Sequence, residues 1–262
     1  AFGNYALNAN TTGSNNTAVG YQSLYLNTIG QRNSAFGDYS LRANTTGNYN
    51  SAFGFHALRY NTTGANNSAF GYMSLRFNTT GVNNVSVGLQ ALYTNTTGIQ
   101  NIAMGTNALY TNTIGVRNVA VGSRSLRLNT TGNYNTAIGH GSLGVNTTGS
   151  YNTALGTSAD VATNNLTNST AIGAGAIVST SNTIQLGNTS VTDVKTSGTI
   201  TAGAITYPNT AGTNGQVLTS NGSGTLSWTS VSGGVPYTGA TGAVNLGSYD
   251  LKVYGLTLGR GT

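Results

Sequence analysis

Acidic side chains and histidines are the residues best suited to catalytic chemistry, and this chain has few of them. Its four acidic residues are separated by more than 30 positions each: Asp38, Asp160, Asp193 and Asp250. Hydrolysis of a glycosidic bond requires two carboxyl groups about 5–10 Å apart, and this spacing indicates no such pair. We therefore predict that the four are solvated loop or turn residues and that the chain is not an enzyme.

Metal and cofactor chemistry has equally little support. His56 and His140 lie far apart in the sequence, and a metal site would require them, or copies from neighbouring chains, to converge. We expect both to be exposed surface histidines. The chain has no cysteine, which excludes disulfides and thiolate ligands. Neither a GxGxxG nor a GxxxxGKS/T phosphate-binding motif occurs. The sequence thus predicts no metal and no cofactor.

The composition excludes further classes of protein. Charged residues make up 5% of the chain, the formal net charge is +6, and 38 residues are Gly. The ten basic residues are sparse and unclustered, whereas a nucleic-acid-binding surface needs a basic cluster, so no nucleic-acid partner is expected. No segment approaches the roughly 18 apolar residues of a membrane span. Abundant Gly, Asn and Thr favour turns and strands.

The dominant feature of the sequence is a repeat of 17 residues. Residues at this spacing form columns, each named here by one member. Five columns are nearly invariant: the Gly20 column (Gly3 to Gly173), the Gly13 column (Gly13 to Gly149), the Leu24 column (Leu7 to Leu143), the Asn10 column (Asn10 to Asn146) and the Asn16 column (Asn16 to Asn152). This length is too short for a helical pair and fits one coil of a parallel β-solenoid with two or three short strands. About ten coils, roughly 4.8 Å apart, would give a rod of roughly 50 Å.

The invariant polar columns are predicted to form the corners of the coil. A corner needs a positive φ or a close approach of backbones, which favours glycine, and stacked asparagines form side-chain amide ladders. The predicted structural corners are Gly13, Gly20, Gly30, Gly37, Asn10 and Asn16, with their counterparts in the other repeats.

The predicted core is thin. Each coil offers one residue of the Leu24 column and one of the Val19 column, which runs from Phe2 to Ile172, while the neighbouring Ala18 column is always Ala or Ser. Burial of a large apolar side chain stabilises the fold by roughly 1.5–3 kcal/mol. Two of them per coil barely offset an ordering entropy of about 1–2 kcal/mol per residue. We therefore predict a homo-oligomer, in which the small Ala18 column permits close contact between chains.

The repeat units "NTAVGYQSL", "NSAFGYMSL" and "NTAIGHGSL" resemble the head repeats of trimeric autotransporter adhesins. Those heads fold as parallel β-rolls that trimerise. The longer period, with its added "NTTG" corner, departs from them and is similar to the repeats of bacterial and viral tail fiber domain proteins. The resemblance covers residues 1–187. It implies an all-β parallel β-solenoid, a trimer around a shared axis, and a location on a cell surface, outside the cell or in a virion tail fibre.

Beyond residue 187 the repeat gives way to alternating, strand-like sequence. Residues 188–232 are predicted to form a β-rich shaft or neck, with strands from about Val191. The segment "GQVLTSNGSGTLSW" is predicted to be a hairpin that turns at Asn221–Gly222. A linker at Gly233–Gly234 precedes a C-terminal β-rich fibre module, residues 233–262. This part resembles phage tail-fibre shafts, in which a chaperone domain often follows and is removed. Because the sequence also opens inside a repeat, we expect a processed or partial chain.

The variable columns are the candidates for binding. The Arg/Tyr column comprises Tyr25, Arg42, Arg59, Arg76, Tyr93, Tyr110 and Arg127, and a second varied column contains Arg32, Tyr49, Arg117, Tyr134 and Tyr151. Tyr and Arg are enriched in binding hot spots, so the stripe is a candidate adhesive surface for a cell-surface glycan or protein receptor. Alternatively, these side chains stack on one another to protect the coil edges, or lie at a subunit interface.

The resulting functional hypothesis is a structural fibre or adhesin that forms a rigid rod and mediates attachment, or that polymerises end to end into filaments. One alternative is an ice-binding solenoid that uses the repeated Thr11, although Thr11 and Thr12 are adjacent and adjacent strand residues point to opposite faces. Another is a glycan-cleaving tailspike, against which the scattered acids argue.

Overall fold

The structure is a computed structural model that describes residues 1–198, 200–202, 205–208, 211–214, 216–223 and 225–230. Within these ranges the protein is all-β and contains no helix. One compact unit spans Ala1–Val194, and a second begins at Lys195.

The first unit is a parallel β-solenoid of about ten turns, as predicted. Its sheet has eleven strands in sequential order, each paired in register with the strand 17 residues away until the shorter last step. These strands are β1 Thr17–Val19, β2 Ser34–Phe36, β3 Ser51–Phe53, β4 Ser68–Phe70, β5 Val85–Val87, β6 Ile102–Met104, β7 Val119–Val121, β8 Thr136–Ile138, β9 Thr153–Leu155, β11 Thr170–Ile172 and β13 Ile184–Leu186. At about 4.8 Å per strand, the sheet is about 48 Å long.

Each regular coil contains a single three-residue strand, so the prediction of two or three strands per coil is wrong there. The rest of the coil is a series of turns that still bond to the next coil, as when Leu24 N donates to Ser40 O at 3.0 Å and Thr28 N to Thr45 O at 3.0 Å. Positive φ angles recur at Leu24, Gln22 and Asn15 and their counterparts, and they interrupt extended backbone. Only the last coils add a second sheet, which pairs β10 Asp160–Val161 with β12 Ile177–Val178.

The two glycine columns are required for different reasons, which confirms both parts of the corner prediction. Glycines of the Gly20 column have φ between 113° and 139°, a region that side chains with a Cβ rarely adopt. Glycines of the Gly13 column have no such angle, but a Cβ on Gly30 would lie 2.6 Å from Gly47 O and would also collide with Asn27 Oδ1. Neither column has room for alanine.

The leucine column forms the interior together with the alanine column. Leu24 and its counterparts up to Leu143 are 0% exposed, although their φ angles of 48° to 52° are unusual for leucine. Ala18 and its counterparts are also buried, at 0–1% exposure. Burial of the leucine side chain, worth roughly 1.5–3 kcal/mol, is comparable to the cost of roughly 1–3 kcal/mol for the strained backbone.

The predicted role of the Val19 column is wrong. These side chains point outward: Phe70 is 40% exposed, Met104 43% and Leu155 47%, whereas the Ala18 column lies inside each coil and cannot contact another chain. Strand residues alternate between faces, and the narrow interior accommodates only the small middle residue of each strand opposite the leucine. The molecule therefore has a smaller core and a more apolar exterior than predicted.

The two asparagine columns form continuous side-chain ladders, as predicted. Asn27 donates Nδ2 to Asn10 Oδ1 at 2.8 Å and to Gly30 O at 3.0 Å. In the second ladder, Asn33 donates Nδ2 to Asn16 Oδ1 at 3.2 Å and to Gly47 O at 2.8 Å, and its backbone N–H also donates to Asn16 Oδ1. Both ladders are buried from Asn27 and Asn33 onward, and every rung bonds to its neighbours.

The described residues beyond the solenoid form two antiparallel strand pairs. Strand β14 Ile200–Ala202 pairs with β15 Ile205–Tyr207, and β16 Gln216–Ser220 pairs with β17 Leu226–Ser230. The second pair confirms the predicted hairpin around Asn221–Gly222. Residues 191–198 form no strand, contrary to the alternating pattern. The predicted linker at Gly233–Gly234 and the fibre module of residues 233–262 lie outside the described residues.

Candidate functional surfaces

Of the four acidic residues, the structure describes Asp38, Asp160 and Asp193. Asp38 is exposed and accepts a hydrogen bond from Tyr21 N at 2.8 Å, and Asp193 is exposed. Asp160 follows β9 and Asp38 follows β2, so they lie seven coils apart, about 34 Å along the rod. Among the described residues no group of three or more His, Asp or Glu side chains could hold a metal ion. Asp250 lies outside the described residues.

Asp160 is buried, contrary to the prediction of a solvated residue. Its side chain is 8% exposed and accepts hydrogen bonds from Val145 N at 3.1 Å and Val161 N at 2.8 Å. In regular coils the backbone group equivalent to Val145 N donates to a carbonyl of the next coil, as Leu26 N does to Arg42 O. The change to strand β10 removes that carbonyl, and the carboxylate replaces it. Burial raises the pKa of Asp160, while the backbone N–H groups oppose this shift.

His56 is also covered rather than exposed. It is 8% exposed, its ring stacks on Phe55 with centroids 3.9 Å apart, and Arg59 Nη1 lies 3.3 Å from its Nδ1. Burial, followed by the charges of Arg59 and Arg76, lowers the pKa of His56 to about 4. The imidazole is therefore neutral near pH 7 and acts as a packing partner for arginine. His140 is exposed, as predicted.

The first half of the Arg/Tyr column is a stack of guanidinium groups and aromatic rings. The guanidinium carbon of Arg42 lies 5.3 Å from the ring centroid of Tyr25. Arg59 lies over Tyr60 at 5.0 Å, and Arg76 lies 5.7 Å from the same ring. Arginine stacks favourably on such faces. The coils thus bring these predicted residues together along one side of the rod.

The second half of the column is more aromatic. Arg76 donates Nη1 to the Tyr93 hydroxyl at 2.8 Å, and Tyr93 stacks on Tyr110 with centroids 5.0 Å apart. Arg127 is exposed. The ring faces in this column are largely occupied by neighbours, which leaves the edges of the rings and guanidinium groups facing outward.

The second varied column has the same chemistry on a different corner of the coil. Arg32 donates Nη1 to the Tyr49 hydroxyl and Arg117 to the Tyr134 hydroxyl, and each guanidinium carbon lies 5.3 Å from the ring it covers. Tyr134 stacks on Tyr151 at 4.9 Å. These residues are exposed, and they provide a natural comparison for the Arg/Tyr column.

The sequence interpretation missed the most extensive surface of the solenoid. We call it the strand face: the outward first and third residues of the eleven strands in the main sheet. Phe36, Phe53 and Phe70 stack along it with centroids 4.7 and 5.0 Å apart, and aliphatic residues continue it to Leu186. Neither outward row contains a charged residue. Period-two alternation around the small Ala18 column could have indicated this face.

Two threonine rows run along the "NTTG" corner. Hydroxyls of the Thr11 column donate to backbone carbonyls of the next coil, as Thr28 Oγ1 does to Thr45 O at 3.0 Å. Side chains of the Thr12 column, such as Thr63 and Thr97, are exposed, but Ile29 and Ile114 interrupt that row.

Comparison of the chain with protein-family models, curated proteins and solved structures gives no match. Over the described part of the chain, no helix is long and apolar enough to cross a membrane. A pocket at the end of the solenoid, lined by Gly175, Ile177, Gln185, Gly187, Asn188 and Thr189, contains no ionisable side chain. The candidate surfaces of the solenoid are the strand face, the Arg/Tyr column, the second varied column and the Thr12 column.

Proposed function

We propose that this chain is a section of a non-enzymatic structural fibre, whose copies associate side by side into a trimeric rod that mediates attachment outside a cell or on a virion. The observation that carries the proposal is the strand face, which runs along the whole main sheet without a charged residue. Its third-position row is apolar throughout and half-exposed to exposed, while its first-position row is mostly Ser and Thr. Large apolar patches of this kind mark interaction sites.

The sheet architecture supports a second copy as the partner of the strand face. Parallel sheets usually have both faces covered, and here the coil covers only the inner face with Ala18, Leu24 and their counterparts. A copy with the same coil spacing can align its rows with these along the entire length. The many small contacts then add up, which gives a stiff assembly from a chain with a thin core.

The assembly is tested by the native mass of the purified chain, measured by light scattering or native mass spectrometry. We expect three chains. The variant with Phe53→Lys and Val121→Lys places charges on the strand face and is expected to be monomeric. The matched control, Thr63→Lys with Thr131→Lys, adds the same charge on the exposed Thr12 column and is expected to remain trimeric. A monomeric parent chain, or equal dissociation of both variants, would contradict the proposal, and long polymers would favour end-to-end filaments.

Ice binding is the alternative that a separate observation favours, namely the largely exposed threonines of the Thr12 column, which Ile29 and Ile114 interrupt. Against it, the Thr11 hydroxyls are already donated to carbonyls, so this corner presents one free row rather than two. Thermal hysteresis of the purified chain distinguishes the two roles: we expect none for a fibre, and a clear freezing-point gap would favour ice binding.

A further inference from the structure

The Arg/Tyr column places three guanidinium groups in consecutive coils. Arg42, Arg59 and Arg76 occupy the same repeat position, so they follow one another at the coil spacing of about 4.8 Å. Like charges this close repel each other and are ordinarily offset by acidic neighbours. No ion pair forms among the residues that the structure describes. The row is a line of positive charge without a salt bridge among the described residues, although Asp38 lies near enough to act on the charge of His56, the neighbour of Arg59.

The donors of this row are only partly used. Arg42 donates Nε to Gln22 Oε1 at 2.7 Å. The contacts of Arg59 with the His56 ring, and of Arg76 with Met73 Sδ and the Tyr93 hydroxyl, all involve Nη1. The buried Nε groups of Arg59 and Arg76 have no hydrogen-bond partner. All three side chains are partly exposed. Stacking on rings holds the guanidinium planes in place, and their remaining Nη N–H groups suit the oxygens of a carboxylate or sulfate group.

We propose that the Arg/Tyr column binds a linear acidic polysaccharide, which lies along the rod and presents anionic groups to Arg42, Arg59 and Arg76. A sugar residue adds roughly one coil spacing to such a chain. Because successive sugars alternate in direction, the chain presents an anionic group to the same side at every second coil, which is the separation of Arg42 and Arg76. Arg127, farther along the same column, extends the site beyond Tyr93 and Tyr110. The inference names the ligand class of the proposed attachment role and so rests on that role, but not on self-association.

Nucleic acids fit this surface less well. Single strands bind by stacking bases on free aromatic faces, and here Tyr60, Phe77 and Tyr93 have their faces covered by Arg76 or by another ring. Phosphates of a duplex strand follow at about 3.4 Å along the axis and wind away from a straight row. Neutral sugars would also require free ring faces. The straight charged row therefore favours an extended acidic polysaccharide.

The test measures binding of polymannuronate, a linear chain with one carboxylate per sugar, by isothermal titration calorimetry at two salt concentrations. We compare the parent chain with the pair Arg59→Gln and Arg76→Gln, and with the matched pair Arg32→Gln and Arg117→Gln, which removes the same charge from similar stacks on another corner. We expect about tenfold weaker binding for the first pair and a change within about twofold for the second. Binding to the parent chain should weaken as salt is raised.

A further pair, Arg59→Lys with Arg76→Lys, keeps the charge and removes the planar donors, and is expected to lose affinity by an intermediate amount. Circular dichroism confirms that each variant is folded, and the lysine pair provides the readout if the glutamine pair does not fold. Equal loss for both glutamine pairs would show diffuse charge attraction and overturn the site. Absence of binding by the parent chain, or tighter binding of a single-stranded oligonucleotide of equal charge, would overturn the ligand class. The mass measurement reports on self-association separately.

Discussion

The asparagine corner and the Arg/Tyr column lie in the same coils, but one is nearly invariant and the other varies. At the corner, each asparagine is buried and bonds to copies of itself above and below, so every rung requires the same amide geometry. In the Arg/Tyr column, Arg, Tyr and Phe stack on one another in several orders and remain partly exposed. In these two columns, the sequence repeats where a buried side chain must bond to its own counterpart, and it varies where side chains stack in several orders on the partly exposed surface.

The largest effect is expected from breaking one rung of the asparagine ladder. In Asn67→Ala, the buried backbone N–H of Asn84 loses its partner. The Gly81 carbonyl, the Asn84 side-chain amide and Asn50 Oδ1 each lose one hydrogen bond and keep another. One orphaned donor at about 1–3 kcal/mol and three lost bonds at about 0.5–1.5 kcal/mol each should together cost about 3–6 kcal/mol. Chemical denaturation followed by circular dichroism measures it at fixed protein concentration. Thr63→Ala, on an exposed side chain of the same corner, is the control and should change stability by less than about 0.5 kcal/mol.

A slightly smaller loss is expected at the glycine between the strand and the turn. Gly71 has φ 133°, and a Cβ there would lie 2.6 Å from Gly88 O. Gly71→Ala therefore combines backbone strain with a collision between coils, and should cost about 2–4 kcal/mol in the free energy of unfolding. The same denaturation experiment provides the value. A neutral result would mean that the coil spacing adjusts, contrary to the tight stacking described above.

Substitution of Asp160 tests whether its carboxylate takes over a hydrogen bond that a backbone carbonyl accepts in the regular coils. Asp160→Ala leaves Val145 N without its acceptor and should be less stable than Asp160→Asn, which retains an acceptor oxygen, by about 1–2 kcal/mol. Equal stability of these two variants would argue against the replacement role.

The same residue predicts a pH dependence. Because the folded-state pKa of Asp160 is raised, the folded protein binds the proton more tightly than the unfolded chain. The tighter binding of this proton stabilises the folded state fully when the pH is below the ordinary pKa of 3.8. This stabilisation is lost as the pH rises through the folded-state pKa. Denaturation from pH 3 to pH 7 should show the parent chain losing stability relative to Asp160→Asn as pH rises. A constant difference would contradict the burial of the carboxylate.

The smallest effect is expected from exchanging residues within the Arg/Tyr column. Tyr93→Arg replaces one member with a residue that already occupies that position in three preceding coils, and should alter stability by less than about 1 kcal/mol. Thermal unfolding followed by circular dichroism provides the comparison. A loss as large as that of Asn67→Ala would remove the contrast between the two columns.

Most features of the fold that were predicted correctly follow from the repetition of the sequence. The spacing of Gly20 and its counterparts indicates a coil length, and the recurrence of Asn10 and Asn16 predicts ladders, since stacked coils bring identical residues together. The hairpin at Asn221–Gly222 was equally accessible because its turn chemistry is local. The residues of the Arg/Tyr column were also identified, since stacking follows from the period alone.

The incorrect predictions concern direction and surroundings. The sequence alone does not say whether Ala18 or Val19 faces inward, because either choice satisfies the alternation of a three-residue strand, and only the width of the coil interior excludes the larger side chain. His56 and Asp160 were expected to be solvated because their neighbours, Phe55 with Arg59 and Val145 with Val161, contact them only after the chain has turned.

By itself, then, the sequence determined the period, the corners and the ladders, because each of these follows from repetition and local backbone chemistry. Only the tertiary structure decided which apolar row is buried, which polar groups lose water and which surface remains uncovered. These outcomes depend on the width of the coil interior, which limits the size of the buried side chain. They also depend on whether the next coil provides a carbonyl that accepts a given backbone hydrogen bond. The strand face exists for that reason: the interior has room for alanine, so the larger apolar residues remain outside.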